Sequence, residues 1–334
     1  MKIPPCQQVP RRQVRFDYKA VRGGRTEFSM ALPSNLNGIL CIHKPQDFTS
    51  FDVVKKLRGM TKIKKIGHAG TLDPMATGVL PVFLGAATKA CDILPDQNKR
   101  YTAAFQLGLT SNTQDIWGEI LSRRESRATE RDILDLLPRF RGDIEQIPPM
   151  FSAIQINGQR LYDLARKGVE VERKPRSVHI YRFELLSFDG ESQSGVLDIG
   201  CSKGTYIRTL IHDLGEALGI GGVMTSLTRT EAAGFSLQDC LTFQEVEELL
   251  RIDSLTKRVL PVEQVFQSYP AIRLNPVQSG KFLNGVRLDL NRVHYPQGAV
   301  TCRVYDAQNN FLGLADCNTG TMELVLKKFF IERK

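Results

Sequence analysis

The chain has 334 residues, of which 42% are hydrophobic and 24% charged, the balance of an ordinary soluble globular protein. It has no run of about eighteen apolar residues, and its first residues lack an apolar core, so we expect neither a membrane span nor a secretory signal. The formal net charge is +9, and residues 1–30 supply +5 of it, from seven Lys or Arg and two Asp or Glu. The rest is mildly basic, and binding to nucleic acid must be argued from clustered charge.

Cysteines and histidines give no sign of a metal site. The seven cysteines include no C-x-x-C pair, and the five histidines are as widely scattered. Neither pattern has the ligand spacing of a zinc site, and an odd number of unpaired cysteines is typical of a reducing compartment. We therefore expect a cytoplasmic protein without a metal.

Residues 1–36 are predicted to be a basic, disordered tail. Met30 is an alternative start, which would make the tail an artefact, and a transit peptide is a weaker alternative. A short buried strand is predicted at 38–43. A helix follows from Thr49 or Ser50 to about Arg58, because either residue can cap its amino terminus.

A basic run without any acid lies in this helix and just after it. A helix face that is merely solvated would carry interspersed acids, so we favour a phosphate-binding surface. Its members are Lys55, Lys56, Arg58, Lys62, Lys64 and Lys65.

The loop at 67–78, Gly-His-Ala-Gly-Thr-Leu-Asp-Pro-Met-Ala-Thr-Gly, carries a single carboxylate, Asp73. Its glycines allow backbone angles that other residues avoid, and Pro74 pushes Asp73 towards an extended conformation. The buried strand predicted at 79–84 anchors the loop. The pattern predicts a rigidly displayed Asp73. A plain Gly/Pro turn with a solvated Asp is the alternative. No Lys-Ser/Thr pair completes a P-loop.

The remaining elements alternate without a regular order. Strands are predicted at 101–108, 178–188 and 195–201, and helices at 128–139, 160–167, 205–218 and 243–251. From about Ser268 short strands are separated by turns at 284–285, 309–310 and 318–320, and Asn284-Gly285 is the strongest hairpin signal. This order predicts an α+β fold, with a main domain at 37–265 and a β-rich module at 268–334.

Three further segments combine aromatic and cationic side chains. They are Lys99-Arg100-Tyr101, Gly204 to Leu210 with Tyr206 and Arg208, and Leu227-Thr228-Arg229-Thr230. Taken singly, each is better explained by a core tyrosine or by a surface arginine paired with an acid.

Together with the Asp73 loop, these segments resemble the TruB-type pseudouridine synthases, the bacterial tRNA pseudouridine-55 synthases. The resemblance covers roughly residues 38–235, and the G-H-x-G-x-L-D-P-x-A-T-G loop is its most specific part. The matching stretches are Lys44-Pro45 with Ser50, 67–78, Lys99 to Tyr101, Thr110-Ser111 with Asp115 and Gly118, Pro148 to Ala153, Asn157 to Ala165, Gly204 to Leu210, and Leu227 with Arg229.

The resemblance implies a role for each matched residue. Asp73 corresponds to the catalytic aspartate that attacks the target uridine, first at its sugar or at its base. Arg208 corresponds to the arginine paired with that carboxylate. Tyr101 and Leu227 are expected on the two sides of the flipped base, and Tyr206 beside Arg208.

Two further residues and the basic run are expected to meet the RNA. His68 resembles the histidine that fills the space left by the flipped base. Asp115 is expected to contact the opened RNA loop or to latch the active site. The basic run, with Lys44 and Arg229, is expected to bind phosphates.

The implied protein is a cofactor-free isomerase that acts on the T-arm stem-loop of tRNA. It is expected to be a monomer without an obligatory protein partner, with a pseudouridine synthase core and a PUA-like RNA-binding module. Two alternatives remain: an RNA-binding protein that has lost catalysis, and a guide-RNA-dependent synthase of the archaeal and eukaryotic type. The sequence departs from the family pattern at His43, Asp47, Phe151 and Gln155, none of which is the proposed nucleophile.

Overall fold

The computed structural model describes residues 36–331, apart from 153 and 157. The predicted tail, except for its last residue, lies outside this range, as do Ala153 and Asn157 of the matched stretches. The helices are α1 Ser50–Thr61, α2 Glu130–Leu136, α3 Leu161–Arg166, α4 Ile207–Ala217, α5 Phe243–Arg251 and α6 Pro276–Leu283. The strands are β1 Gly38–Lys44, β2 Ile66–His68, β3 Thr77–Leu84, β4 Lys99–Leu107, β5 Leu109–Ser111, β6 Ile120–Arg123, β7 Gly142–Gln146, β8 Gln155–Ile156, β9 Gln159–Arg160, β10 Arg176–Asp189, β11 Ser194–Cys201, β12 Gly222–Ala232, β13 Phe235–Ser236, β14 Ala271–Arg273, β15 Leu288–Asp289, β16 Thr301–Tyr305, β17 Phe311–Asn318 and β18 Glu323–Phe329.

A mixed sheet organises the larger part of the described chain. Its strand order is β1-β3-β12-β4-β11-β10-β7, with β2 paired to β3 and β13 to β12. The pairings are antiparallel except where β12 meets β3, with Thr228 opposite Thr77 and Arg229 opposite Gly78. Helices flank this sheet and a second, smaller sheet follows it, so the predicted α+β class is confirmed.

Helix α1 forms where its capping signal predicts. The Thr49 side chain accepts a hydrogen bond from the Asp52 backbone N–H, and the Asp52 carboxylate accepts one from the Thr49 N–H. Val53, Val54 and Leu57 lie buried on one face of the helix and pack in the same core cluster as strands β1 and β3. The helix runs three residues past the predicted end.

The main core lies between the sheet and α4. Leu210, Ile211 and Leu214 of α4 are fully buried and pack with Phe105 of β4 and Ile199 of β11. The apolar face of α4, which repeats about every 3.6 residues, packs in this layer against the inward-facing alternate residues of β4. Consequently, the first turn of α4 lies beside the middle of the sheet.

The carboxy-terminal residues form a second sheet of strand order β14-β16-β17-β18-β15, which has a core of its own. This module also shares a cluster with the larger sheet, because Phe330 packs with Phe266 and Phe83. The Asn37 side chain joins the two parts, donating to the Phe330 carbonyl oxygen at 2.6 Å and accepting from the Ala87 N–H at 2.6 Å.

One turn prediction is wrong, and several strands were missed. Asn284-Gly285 ends helix α6 instead of joining two strands, and Gly285 adopts φ +76°, the conformation typical of a glycine just past a helix. The reason is that Asn275 and Pro276 together start a helix. The turns at 309–310 and 318–320 are confirmed. No strand was predicted for β12 or for β7, both of which belong to the larger sheet.

None of the helices in the described residues has the length and apolar character needed to cross a bilayer. Over the same residues, no group of three or more His, Cys, Asp or Glu side chains is placed to hold a metal ion.

Candidate active site

Asp73 and Arg208 form an ion pair between the loop that precedes β3 and the first turn of α4. The Arg208 Nε lies 3.0 Å from the Asp73 Oδ2. The arginine side chain is only 5% exposed, whereas that of Asp73 is 37% exposed. The carboxylate is therefore fixed in direction by a buried cation while one side stays open to a ligand.

Arg208 is itself held by backbone oxygens. Its Nη1 donates to the Thr113 carbonyl and its Nη2 to the Phe151 carbonyl, each at 2.9 Å. These bonds use the outer nitrogens of the guanidinium, so its Nε remains directed at Asp73.

Asp115 lies behind Arg208 and does not face solvent. Its Oδ2 is 3.7 Å from the Arg208 Nη1, and the residue is 1% exposed. Its Oδ1 accepts hydrogen bonds from the Thr113 hydroxyl at 2.7 Å and from the Trp117 N–H at 3.1 Å. Burial raises the pKa of this carboxyl. The expectation that Asp115 contacts RNA is therefore wrong, and the geometry fits the alternative, a latch on the active site.

A buried apolar cluster contains residues next to the ion pair. Leu72 and Ala76, which flank Asp73 in the sequence, pack in one cluster with Tyr101, Leu227 and Ile207. Tyr101 is 6% and Leu227 7% exposed, so both are almost completely enclosed. Burial raises the pKa of Tyr101 to about 12, and its hydroxyl therefore stays protonated at neutral pH.

His68 lies on β2, at the start of the same loop. It is half-buried, and its Nδ1 is a buried atom without a hydrogen-bond partner among the described residues. Burial, and secondarily the charge of Arg229, lower the pKa of this imidazole. His68 is thus neutral at physiological pH.

Lys44 is not available to phosphate, and its predicted role is wrong. The side chain is completely buried, and its Nζ donates to the carbonyl oxygens of Pro45 at 2.9 Å, Phe48 at 2.6 Å and Pro74 at 3.0 Å. Burial lowers the pKa of Lys44 to about 8. Lys44 therefore fastens the residue that follows Asp73.

Arg229 is likewise completely buried, and its predicted phosphate contact is also wrong. Its Nε donates to the Val79 carbonyl at 2.8 Å, its Nη2 to the Gly70 carbonyl at 3.0 Å and its Nη1 to the Thr71 carbonyl at 3.4 Å. A side chain on Gly78 would place its Cβ 2.2 Å from the Arg229 backbone oxygen, so only glycine fits there. Arg229 thus fastens the other side of the Asp73 loop.

The six cations of the basic run are all exposed, on α1 and on the segment that joins it to β2. Lys56 Nζ also lies 4.4 Å from the centroid of the Phe243 ring. Their contact with phosphate stays a prediction.

Sequence reasoning missed two residues that position the site. The Gln146 side chain, 2% exposed, accepts from the Tyr206 N–H at 2.7 Å and donates to the Tyr206 carbonyl at 3.0 Å, and so fixes the start of α4. The Ser50 hydroxyl accepts from the Leu72 N–H at 2.9 Å and so holds the residue before Asp73. Ser50 had been noted in a matched stretch, but nothing near Gln146 in the sequence indicates its distant partner.

Solved structures with this architecture include a Cbf5–Nop10–Gar1 complex and an H/ACA ribonucleoprotein bound to a substrate RNA containing 2′-deoxyuridine. Their TM-scores are 0.69 and 0.68, with sequence identities of 24% and 22%. Each match covers 90% of this chain and 86% or 87% of the other. At this identity, the likeness concerns the fold alone.

Sequence families give the class of protein. Residues 58–207 match the TruB family pseudouridylate synthase amino-terminal domain. Residues 208–267 match the tRNA pseudouridylate synthase B carboxy-terminal domain, and residues 270–323 the carboxy-terminal domain of pseudouridine synthase II TruB. The fold and these matches define an isomerase, a pseudouridylate synthase.

Individual relatives narrow the class to one family. A tRNA pseudouridine synthase B of Clostridium tetani is 40% identical, over 84% of this chain and 95% of that relative. One of Alkaliphilus oremlandii is 44% identical, over 83% of this chain and 92% of that relative. The chain belongs to the TruB family of pseudouridylate synthases, as its motifs predicted.

Proposed function

We propose that the chain converts the T-loop uridine of tRNA, position 55, to pseudouridine, with Asp73 as the nucleophile. The observation that carries the proposal is the Asp73–Arg208 ion pair, whose half-open carboxylate lies next to the apolar cluster of Tyr101 and Leu227, the proposed pocket for the base. The relatives named tRNA pseudouridine synthase B support tRNA as the substrate.

The reaction needs only a nucleophile that can also leave. A carboxylate oxygen of Asp73 bonds to C1′ of the ribose or to C6 of the uracil, and the bond between C1′ and N1 breaks. The base turns, C5 bonds to C1′, and the carboxylate departs with its electron pair. C5 loses a proton and N1 gains one. Product and substrate are isomers, so the scheme consumes no cofactor.

Arg208 keeps the Asp73 carboxylate aimed, since its Nε binds the carboxylate while its other nitrogens bind fixed carbonyls. Tyr101 serves as a stacking surface in the resting enzyme, because its raised pKa disfavours the phenolate that a proton acceptor would need. Leu227 closes the other side of the base.

The target uridine must leave the RNA stack to lie between Tyr101 and Leu227, since both side chains are almost fully enclosed. His68 is proposed to fill the space that the base vacates. A neutral imidazole suits that role, because it can stack between bases without carrying a charge into them. The basic run would hold the phosphates of the stem.

We also propose that the chain acts as a cytoplasmic monomer that needs no protein partner and no guide RNA. The test is pseudouridine mapping with the purified chain on an unmodified tRNA transcript. Conversion at position 55 by the chain alone supports the proposal. Binding without conversion favours the RNA-binding alternative, and a requirement for added RNA or protein favours the guide-dependent one.

The role of Asp73 is tested by Asp73→Asn, which keeps the shape of the side chain and removes its nucleophilic charge. We expect no pseudouridine on a T-arm stem-loop, with binding preserved in a gel-shift measurement. Asp92→Asn, at an exposed carboxylate, is the control and should turn over normally. Turnover by Asp73→Asn at the wild-type rate would refute Asp73 as the nucleophile.

A further inference from the structure

Trp117 is the single tryptophan of the chain, and it is exposed beside the active site. Its exposed fraction is 46%, and that of the preceding Ile116 is 39%. We propose that the Trp117 indole stacks on an unpaired base of the substrate RNA next to the reacting uridine. This proposal rests on the proposed function, and it adds a specific contact that the reaction chemistry does not require.

The turn that presents Trp117 is fixed by hydrogen bonds. The Trp117 N–H donates to the Asp115 carboxylate at 3.1 Å, and the Ser111 hydroxyl donates to the Asp115 carbonyl at 2.6 Å. Further along, the Glu119 N–H donates to the Asn112 side chain at 3.0 Å. The main chain at Trp117 is therefore preorganised, and it loses little conformational freedom when RNA binds.

The direction of the chain brings Trp117 towards the base pocket. Asp115 pairs with Met224 of β12 in parallel, through the bond from the Ile116 N–H to the Met224 carbonyl at 2.9 Å. Because the pairing is parallel, the residues that follow Asp115 start in the direction in which β12 runs from Met224 to Leu227. The chain thus leaves this bridge towards the Leu227 side, and then turns at Ile116 and Trp117.

The edge of β12 contains a gap at this place. Strand β4 occupies one edge of β12 along its length. On the other edge, the bridge at Met224 and the β3 pairing at Thr228 and Arg229 leave the residues between them unpaired. Strand β3 starts at Thr77, directly after the Asp73 loop. The gap therefore lies between the turn of Trp117 and the nucleophile.

A chain of side-chain contacts also connects Trp117 with the nucleophile. Asp115 binds the Trp117 N–H with one oxygen and approaches Arg208 with the other, and Arg208 pairs with Asp73. A base held in the Asp73 pocket would thus have its neighbour in the RNA within reach of the turn.

The chemistry of the turn favours a base over a phosphate. Glu119, an exposed carboxylate two residues after the indole, would repel a phosphate. In the described chain, no other aromatic ring or cation is stacked on the indole. Unpaired bases of RNA loops are commonly recognised by stacking on such aromatic faces.

The emission of a single tryptophan reports on this side chain alone. Asp73→Asn enzyme, which keeps the RNA unconverted, is titrated with a T-arm stem-loop, and binding is followed in parallel by filter retention. We expect the emission to be quenched, with the same midpoint as the retained fraction. Saturated retention with unchanged emission would overturn the proposal.

Variants give an independent measurement. Trp117→Ala should raise the Kd for the stem-loop about tenfold, within the roughly 5- to 150-fold range of stacking contacts, and Trp117→Phe should restore most of the affinity. The control is Leu121→Ala on β6 of the same hairpin, a side chain that is 63% exposed, and it should bind normally. Unaltered binding by Trp117→Ala, with its thermal unfolding unchanged, would contradict the proposal and leave the indole as a surface for a protein partner.

The two proposals can fail separately. Pseudouridine formation by the wild-type chain tests the function without reference to Trp117. If that reaction proceeds and Trp117→Ala binds normally, only the stacking inference is lost. If no pseudouridine forms but the emission is quenched in step with binding, stacking stands and the catalytic proposal falls.

Discussion

Two buried cations, Lys44 and Arg229, hold the loop of Asp73 from opposite sides. Both donate hydrogen bonds to carbonyl oxygens, and neither forms a salt bridge among the described residues. A buried charge without a carboxylate partner is costly, and it persists where it has a positioning role. Here three carbonyls partly compensate each charge, and the result is a loop with a defined shape.

Arg229→Met should slow the reaction more than it weakens binding. The substitution leaves the carbonyls of Gly70, Thr71 and Val79 without this donor, so the Asp73 carboxylate loses its fixed position. We expect a single-turnover rate about 10- to 100-fold lower, with little change in Kd for the stem-loop. The free energy of unfolding should fall by about 2 kcal/mol or more.

Two comparisons make this prediction specific. Arg229→Lys should recover part of the rate, because an ammonium can still donate to some of the three carbonyls. Arg182→Met removes a half-exposed arginine that pairs with Asp198 and Glu184, and it should leave the rate unchanged. A folded Arg229→Met enzyme with the wild-type rate would show that the loop keeps its shape without Arg229.

At the level of elements, the decisive junction is the short parallel contact of β12 with β3. Gly78 has φ +106° and lies against the Arg229 backbone, so the two strands approach more closely than a side chain would allow. This approach places the Arg229 guanidinium under the Asp73 loop.

Gly78→Ala should therefore be more harmful than a glycine replacement at a comparable backbone angle. The new Cβ would lie 2.2 Å from the Arg229 oxygen, and we expect a loss of about 2–5 kcal/mol in urea unfolding, with a lower rate. Gly142→Ala, at φ +84° with no atom within 4 Å of the new Cβ, carries the backbone strain alone. Equal losses in the two variants would refute the role of close strand approach.

The sequence predicted the elements whose signals are local. The alternation in β4 and the cap of α1, predicted at Thr49 or Ser50 and found at Thr49, both depend on a few neighbouring residues, and both are confirmed. Lys44 was misjudged although two of its three carbonyl partners, Pro45 and Phe48, are near it in the sequence. Arg229 was misjudged because its partners are distant: it binds carbonyls about 150 residues earlier in the chain. Gln146 was missed for the same reason. The sequence shows that a cationic side chain is present, but only the fold shows whether it is hydrogen-bonded to water or to a backbone carbonyl.

Over the whole molecule, the β-rich module and the larger sheet share one layer of aromatic residues. Phe330 is 1% exposed, with its ring 5.3 Å from that of Phe266 and 5.7 Å from that of Phe311. The same cluster contains Ile39 of β1 and Ala87. The module thus stabilises strand β1, which ends at Lys44.

Phe330→Ala should loosen both parts of the molecule, with a loss of about 3–5 kcal/mol. We expect faster hydrogen exchange in peptides covering β1 and residues 85–90, since both pack in the shared cluster. The control is Phe282→Ala, which removes a fully buried ring from the module's own core. It should speed exchange in the module and leave β1 protected. Unchanged protection of β1 in Phe330→Ala would mean that the two parts are independent.

The brace of Lys44 and Arg229 has a consequence for how this loop can vary between related proteins. Both cations recognise main-chain oxygens, so they are indifferent to the identity of Thr71 or Met75 but sensitive to the number of residues between Gly70 and Pro74. Substitutions at these two side chains should be tolerated, whereas a single insertion or deletion would move one carbonyl out of reach. The length of the loop is thus constrained more strongly than the identity of its side chains.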